Sequence, residues 1–294
     1  MSAGARPLAT ADTRIQISRR AARWDDRPVT VADAIDFWSF AGAAANVIMQ
    51  LALPPVGHGV AESTVTSGSL LHHPWKRART TLSYLAVAIL GTPEDRAAYR
   101  AAVDRAHRQV RSTPDSPVKY NAFDRDLQMW VAACLFVGLE DTYQLLRGEL
   151  SAEQAEEFYR SGFTLGTTLQ VTEDQWPPTR AAFDDYWNAA CEKVSMDDTV
   201  RGYLTDLINL KMITPLLRPG NRMLLKFLTA GFLAPVFRDA LGMKWSPARQ
   251  RLFEWLFLFV SFVNRFLPQF IRQGGSYLLL YDIRSRVRRG KALI

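Results

Sequence analysis

At 294 residues, 48% hydrophobic, 11% aromatic and 22% charged, the chain has the composition of a globular protein with a large core, which excludes wholesale disorder. Its net charge of +7 is a mild excess, much of it in the run Arg284, Arg286, Arg288, Arg289 and Lys291, so no polybasic nucleic-acid binder is expected. Cys134 and Cys191 are the two cysteines and form no C-x-x-C pair, which argues against a disulfide framework and fits a reducing compartment.

Residues 1–28 lack apolar periodicity and read as a flexible or loosely docked arm. They carry Arg6, Asp12, Arg14, Arg19 and Arg20 without an apolar h-region, so no signal peptide is expected and the location is read as cytoplasmic. From Thr30, Ile35, Trp38, Ala41, Ala45, Ile48 and Met49 recur at helical spacing until Pro54-Pro55 stops the pattern. Residues 54–74 are rich in Gly, Pro, Ser and Thr and read as loop or short helix, with His58 between two glycines and Glu62 as a solvated carboxylate or a pocket base. Pro74 opens another helix, on which Arg77 and Thr81 stand one turn apart. Arginine there is either a solvated first-turn residue or the partner of a cofactor's propionate, and Thr81 either packs or donates to a bound oxygen ligand.

Thr92-Pro93 is a cap followed by a proline at the first helical position. On the helix that follows, Val103, His107 and Val110 share a face, which aims His107 into the core as a satisfied histidine or as a ligand. A further helix starts near Asp124, and its inward face holds Trp130, Cys134 and Gly138. Small residues beside an aromatic wall make either a slot for a planar macrocycle or ordinary helix packing, and Cys134 is the rival metal ligand to His107. Capping patterns recur at Ser151–Gln154, Thr172–Gln175 and Ser246-Pro247. The apolar run Leu256–Val263 is too short for a membrane span and reads as a core helix, with shallow membrane contact as the alternative. Leu278–Tyr281 is either a short strand or part of a helix. The resulting organisation is all-α, with one large helical domain over 29–280 and a basic tail at 281–294. That tail is either solvated or in peripheral contact with an anionic membrane surface.

Taken in order, these pieces resemble the MpaB/latex-clearing-protein oxygenase family. The resemblance rests on Gly59-Val60-Ala61-Glu62, Pro74-x-x-Arg77-x-x-x-Thr81, Gly91, His107-x-x-Val110 and Tyr120-x-Ala122-x-Asp124-x-x-Leu127-x-x-Trp130-Val131. It continues through Leu233-Ala234-Pro235-x-x-Arg238, Trp245-Ser246 and Phe266-Leu267-Pro268-x-x-Ile271-Arg272, and so spans roughly residues 50–275. It implies a helical fold that encloses one haem b, with His107 as axial iron ligand and Arg77 and Thr81 in the pocket beside Trp130 and Cys134. It also implies dioxygen-dependent cleavage of an isoprenoid-like C=C bond, with an apolar small molecule and dioxygen as partners and Glu62 as the candidate base. Two positions depart from the family pattern. Thr80 stands where rubber-cleaving members carry lysine, which counts against rubber as substrate, and Arg111-Ser112 follows the histidine motif where many members have glycine. The alternatives are a haem- or lipid-binding protein without turnover, and a non-haem metal enzyme using His58, His72 and His73.

Overall fold

Caps, prolines and apolar period place the helices. The computed structural model describes residues 10–21, 23, 27, 29–63, 71–212 and 218–294. Single turns α1 (Thr10–Thr13) and α2 (Val31–Ala34) precede a 3-10 stretch at Phe37–Gly42 and α3 (Ala43–Leu51). Prolines at the first turn start α4 (Pro54–Ala61), α5 (Pro74–Leu90) and α6 (Pro93–His107), the last with a Thr92–Asp95 capping box. The carboxylate of Asp124 caps α7 (Arg125–Arg147), and the Ser151–Gln154 box caps α8 (Ala152–Ser161). The Thr172–Gln175 box starts only a 3-10 turn, after α9 (Thr164–Thr167). There follow α10 (Arg180–Cys191), α11 (Asp198–Ile208), α12 (Arg218–Phe232), α13 (Pro235–Leu241), α14 (Pro247–Arg265) and α15 (Gln269–Arg288). Among the described residues the fold is all-α, with one isolated antiparallel bridge, Arg111 to Asn121.

The long α7 is buried on nearly every side, as expected of a helix apolar around most of its circumference. Helices α3, α9 and α14 pack on it. Its buried charged residues are all paired: Glu140 accepts from Arg14 at 2.7 Å and Arg180 at 2.9 Å, Asp141 pairs with Arg14, and Arg147 lies 3.2 Å from Asp36. Asp36 also holds Arg272 at 3.2 Å, so one buried carboxylate ties α7 to α15. A smaller apolar cluster joins α5, α6 and α15 through Val87, Tyr99, Val103, Leu280 and Ile283.

Two open alternatives are resolved and two expectations change. The N-terminal segment is docked where it is described: Arg14 reaches the α7 acids, Thr13 donates to Asn188 and Ser18 donates to Glu254. The rest of the expected arm, residues 1–9, 22, 24–26 and 28, lies outside the described residues. The basic stretch from 281 begins as helix, because α15 runs unbroken through Leu278–Tyr281 to Arg288. The α7 slot is filled by α3: a Cβ on Gly138 would lie 2.3 Å from Asn46, whose side-chain amide donates to the Cys134 carbonyl at 2.6 Å. Finally, α6 ends at His107, so Val110 is not on its helical face but in the following turn, donating its N–H to the His107 carbonyl at 2.9 Å.

Candidate functional site

The site gathers where α4, α5, α6 and α11 meet the loop 110–123. Arg77 and Thr81 lie on α5, one turn apart, with Thr81 half-buried. Arg77 is reached by solvent yet surrounded by protein: burial draws its guanidinium below its usual range, and only Tyr203 and Tyr99 oppose that. Among the described residues it has no carboxylate partner, whereas the next arginine, Arg79, is held by Asp282 at 2.6 Å. Partly desolvated and without an ion pair among the described residues, this cation is open to an anionic ligand.

His107 is the last residue of α6. A helix C-terminus favours the imidazolium, but burial outweighs that, the Arg77 charge adds to burial, and Asp104 opposes both only in part. The ring is held below its ordinary pKa and is therefore neutral at pH 7. Its Nδ1 is buried and meets no hydrogen-bond partner among the described residues. The ring packs edge-on against Phe123, with centroids 6.3 Å apart.

Glu62 belongs to a second cluster that reaches the same 110–123 loop. Its Oε1 lies 2.5 Å from His58 Nδ1, and its Oε2 accepts from Ser116 Oγ at 2.8 Å and Tyr120 Oη at 3.1 Å. Partial burial pushes this carboxyl up, but the hydrogen bonds from His58, Ser116 and Tyr120 together outweigh it and hold Glu62 below its usual range. His58 Nε2 lies 2.8 Å from Asp197 Oδ2, while Asp197 Oδ1 caps α11 by accepting from Val200 N at 3.0 Å. The three side chains run from Glu62, 24% exposed, through His58, 3% exposed, to Asp197, 49% exposed. They form a hydrogen-bonded line from the site to solvent. Gly59 makes room for Tyr120, whose ring would lie 3.3 Å from any Cβ there.

The sequence-predicted residues thus divide. Arg77 acts electrostatically on His107, and Thr81 is one turn from Arg77. Glu62 reaches the same loop through Tyr120 and Ser116. Trp130 and Cys134 are core instead. Trp130 stacks on Trp187 at 5.2 Å and donates to the Gln50 carbonyl at 3.0 Å, and Cys134 is fully buried, with burial pushing its thiol well up beyond ready ionisation. His58, expected in a loose loop, is buried on α4. His72 and His73 are exposed at the start of α5. Among the described residues no three His, Cys, Asp or Glu side chains are placed to hold a metal ion, which leaves the non-haem ligand set weighed above unassembled. Residues the sequence reading missed are Tyr99, Tyr203, Asp197 and the His58 clamp. The His58–Glu62 spacing of four on a helix was the one available signal.

Two residues here are of the types that a planar cofactor with anionic edges and a coordinating metal would use: His107, a neutral imidazole whose Nδ1 has no partner among the described residues, and Arg77, a cation without an ion pair among them.

The family model described as "ER-bound oxygenase mpaB/B'/Rubber oxygenase, catalytic domain" matches residues 33–262. An uncharacterized protein of Mycobacterium tuberculosis and one of Mycobacterium bovis are each 48% identical over 251 residues, covering 85% of this chain and 98% of theirs. No solved structure matches.

Proposed function

The chain belongs to the mpaB/rubber oxygenase catalytic-domain family, a family of oxygenases, and from that premise we propose that it is a haem b-dependent oxygenase cleaving a C=C bond in an apolar, isoprenoid-like small molecule. The observation that carries this reading is a neutral His107, whose Nδ1 has no partner among the described residues, beside Arg77, a cation with no ion pair among them. When bound, haem iron supplies the dioxygen chemistry, and scission of the alkene gives two carbonyl products.

The chain's own residues supply the rest. His107 would hold the metal, and Phe123 fixes its ring against rotation. Arg77 would neutralise a propionate, and Thr81 would stand one turn along beside it. Glu62, held as a carboxylate by three donors, would accept an allylic proton at an oxygen. The proton would return to the product, since alkene and dioxygen give two carbonyls with no net proton lost, and His58, held by Asp197, keeps Glu62 in place for both transfers. Thr80 contributes no cation, since its hydroxyl is turned to the Lys76 carbonyl at 3.0 Å. This favours a soluble terpenoid over rubber and also sustains the second reading, a haem-binding protein without turnover. Incubating the ferrous protein with farnesyl- or geranyl-bearing compounds, following oxygen uptake and carbonyl products, tests the proposal. Conversion supports it; haem uptake without oxygen consumption supports the second reading, and conversion of polar substrates or solid rubber alone overturns the substrate class.

A further inference from the structure

The outer face of α14 is strongly apolar and exposed. Leu252, Trp255, Phe259, Phe262 and Phe266 follow at spacings of three and four, which places them within an arc of about 80° at 3.6 residues per turn. They are 58–70% exposed, although the opposite face of the same helix buries Phe253 and Phe257 in the core. A helix apolar on both faces is expected only where something covers each face. Helix α15 continues the pattern with Phe270, Tyr277, Leu278 and Tyr281, between 53% and 74% exposed. At about 200 Å² per large side chain each stripe leaves on the order of 500 Å² uncovered, at the upper end for the largest patch on an ordinary monomer.

The charges around the stripes identify what covers them. Arg249 flanks the α14 stripe on one side and Arg251 and Arg265 flank it on the other, all exposed and without an ion pair among the described residues. Arg19 lies over the Trp255 ring at 5.5 Å. The α15 stripe ends in the exposed Arg288 and Arg289. The only acids on the two helices are taken: Glu254 is buried against Ser18, and Asp282 holds Arg79 and Arg286. A second copy brought face to face would set arginine against arginine, whereas anionic headgroups complement this rim. Tryptophan, tyrosine and phenylalanine bordered by arginine are the residues that settle at the boundary of headgroups and acyl chains.

We propose that the outer faces of α14 and α15 form a docking surface for an anionic lipid bilayer, with the aromatic stripes in the interfacial layer and the arginines on the headgroups. The membrane contact left open above for the basic tail and for Leu256–Val263 is thereby assigned to two apolar helix faces. This inference does not rest on the oxygenase reading.

Flotation of the full-length protein with phosphatidylcholine vesicles, with and without phosphatidylglycerol, tests it alongside the oligomeric state by light scattering. The expected result is a monomer that floats with the anionic vesicles and binds pure phosphatidylcholine at least tenfold more weakly. The Phe259→Ser/Phe262→Ser protein, helical by circular dichroism, should lose binding at least tenfold, and Arg251→Glu/Arg265→Glu should lose the preference for anionic lipid. Phe163→Ser, an exposed aromatic elsewhere, should bind as wild type. Failure of the wild type to float, or unchanged binding by both double variants, overturns the proposal. So does a dimer that Phe259→Ser/Phe262→Ser dissociates in a protein that ignores vesicles.

Discussion

Replacing Arg77 with methionine should move stability and ligand binding in opposite directions. Complete burial of an unpaired charge costs several kcal/mol. Water reaches this guanidinium, and screening reduces the penalty to about 1 kcal/mol. Methionine keeps the aliphatic stem, so little packing is lost. The ligand-free variant should therefore melt higher, by about 2 °C for a chain of this size. The substitution also removes the second of the two influences holding His107 below its ordinary value of 6.5. A native histidine with a depressed pKa binds fewer protons than the unfolded chain, so its contribution is present above 6.5 and is lost as pH falls through and below that value. The variant should lose less stability than the wild type over that interval. Its affinity for haem should fall about 5- to 100-fold, the worth of a charge-assisted pair of about 1–3 kcal/mol. Thermal unfolding of the ligand-free protein from about pH 5 to 8, together with haem titration, reads all three. A variant that melts lower without ligand, or binds haem as wild type, would refute the assignment of Arg77 as an anion-holding residue.

Three further substitutions separate the site from the scaffold. Asp36→Ala strips the shared anion from buried Arg147 and Arg272 and should cost about 3–5 kcal/mol in urea unfolding; a loss under about 1 kcal/mol would contradict the pairing. Trp130→Phe removes the Trp187 stack and the bond to Gln50, and should cost about 1–3 kcal/mol while leaving haem content unchanged; haem loss in a folded variant would return Trp130 to the site. Glu62→Gln should keep fold and cofactor but lower turnover about 10²- to 10⁴-fold; undiminished turnover would remove Glu62 as the base.

What could be read in the sequence was local. Thr92-Pro93, Asp124, Ser151–Gln154 and Ser246-Pro247 start helices because each cap satisfies backbone donors within three residues. Arg77 and Thr81 one turn apart, and His107 aimed inward from α6, are likewise helix geometry. Long-range closure could not be read this way. Gly57 and Gly59 suggested a loose loop around His58, but they serve close packing, and the imidazole is locked by Asp197, 139 residues away. The small residues of α7 suggested a cofactor slot, yet Gly138 leaves just enough room for Asn46. How the arm docks could not be read, because nothing in residues 1–28 announces that Arg14 will neutralise two acids on α7. Gly274-Gly275 within α15 weakens a helical pattern that packing on α5 restores.

His107 as the axial ligand is tested most directly by visible spectroscopy of the purified protein, oxidised and then reduced under carbon monoxide, beside His107→Ala. The wild type should show a Soret band that shifts with carbon monoxide. The variant should remain helical by circular dichroism, lose the band, and recover it only with added imidazole. A His107→Ala protein with full haem content and an unaltered spectrum, or a wild type that takes up no haem, would contradict the assignment.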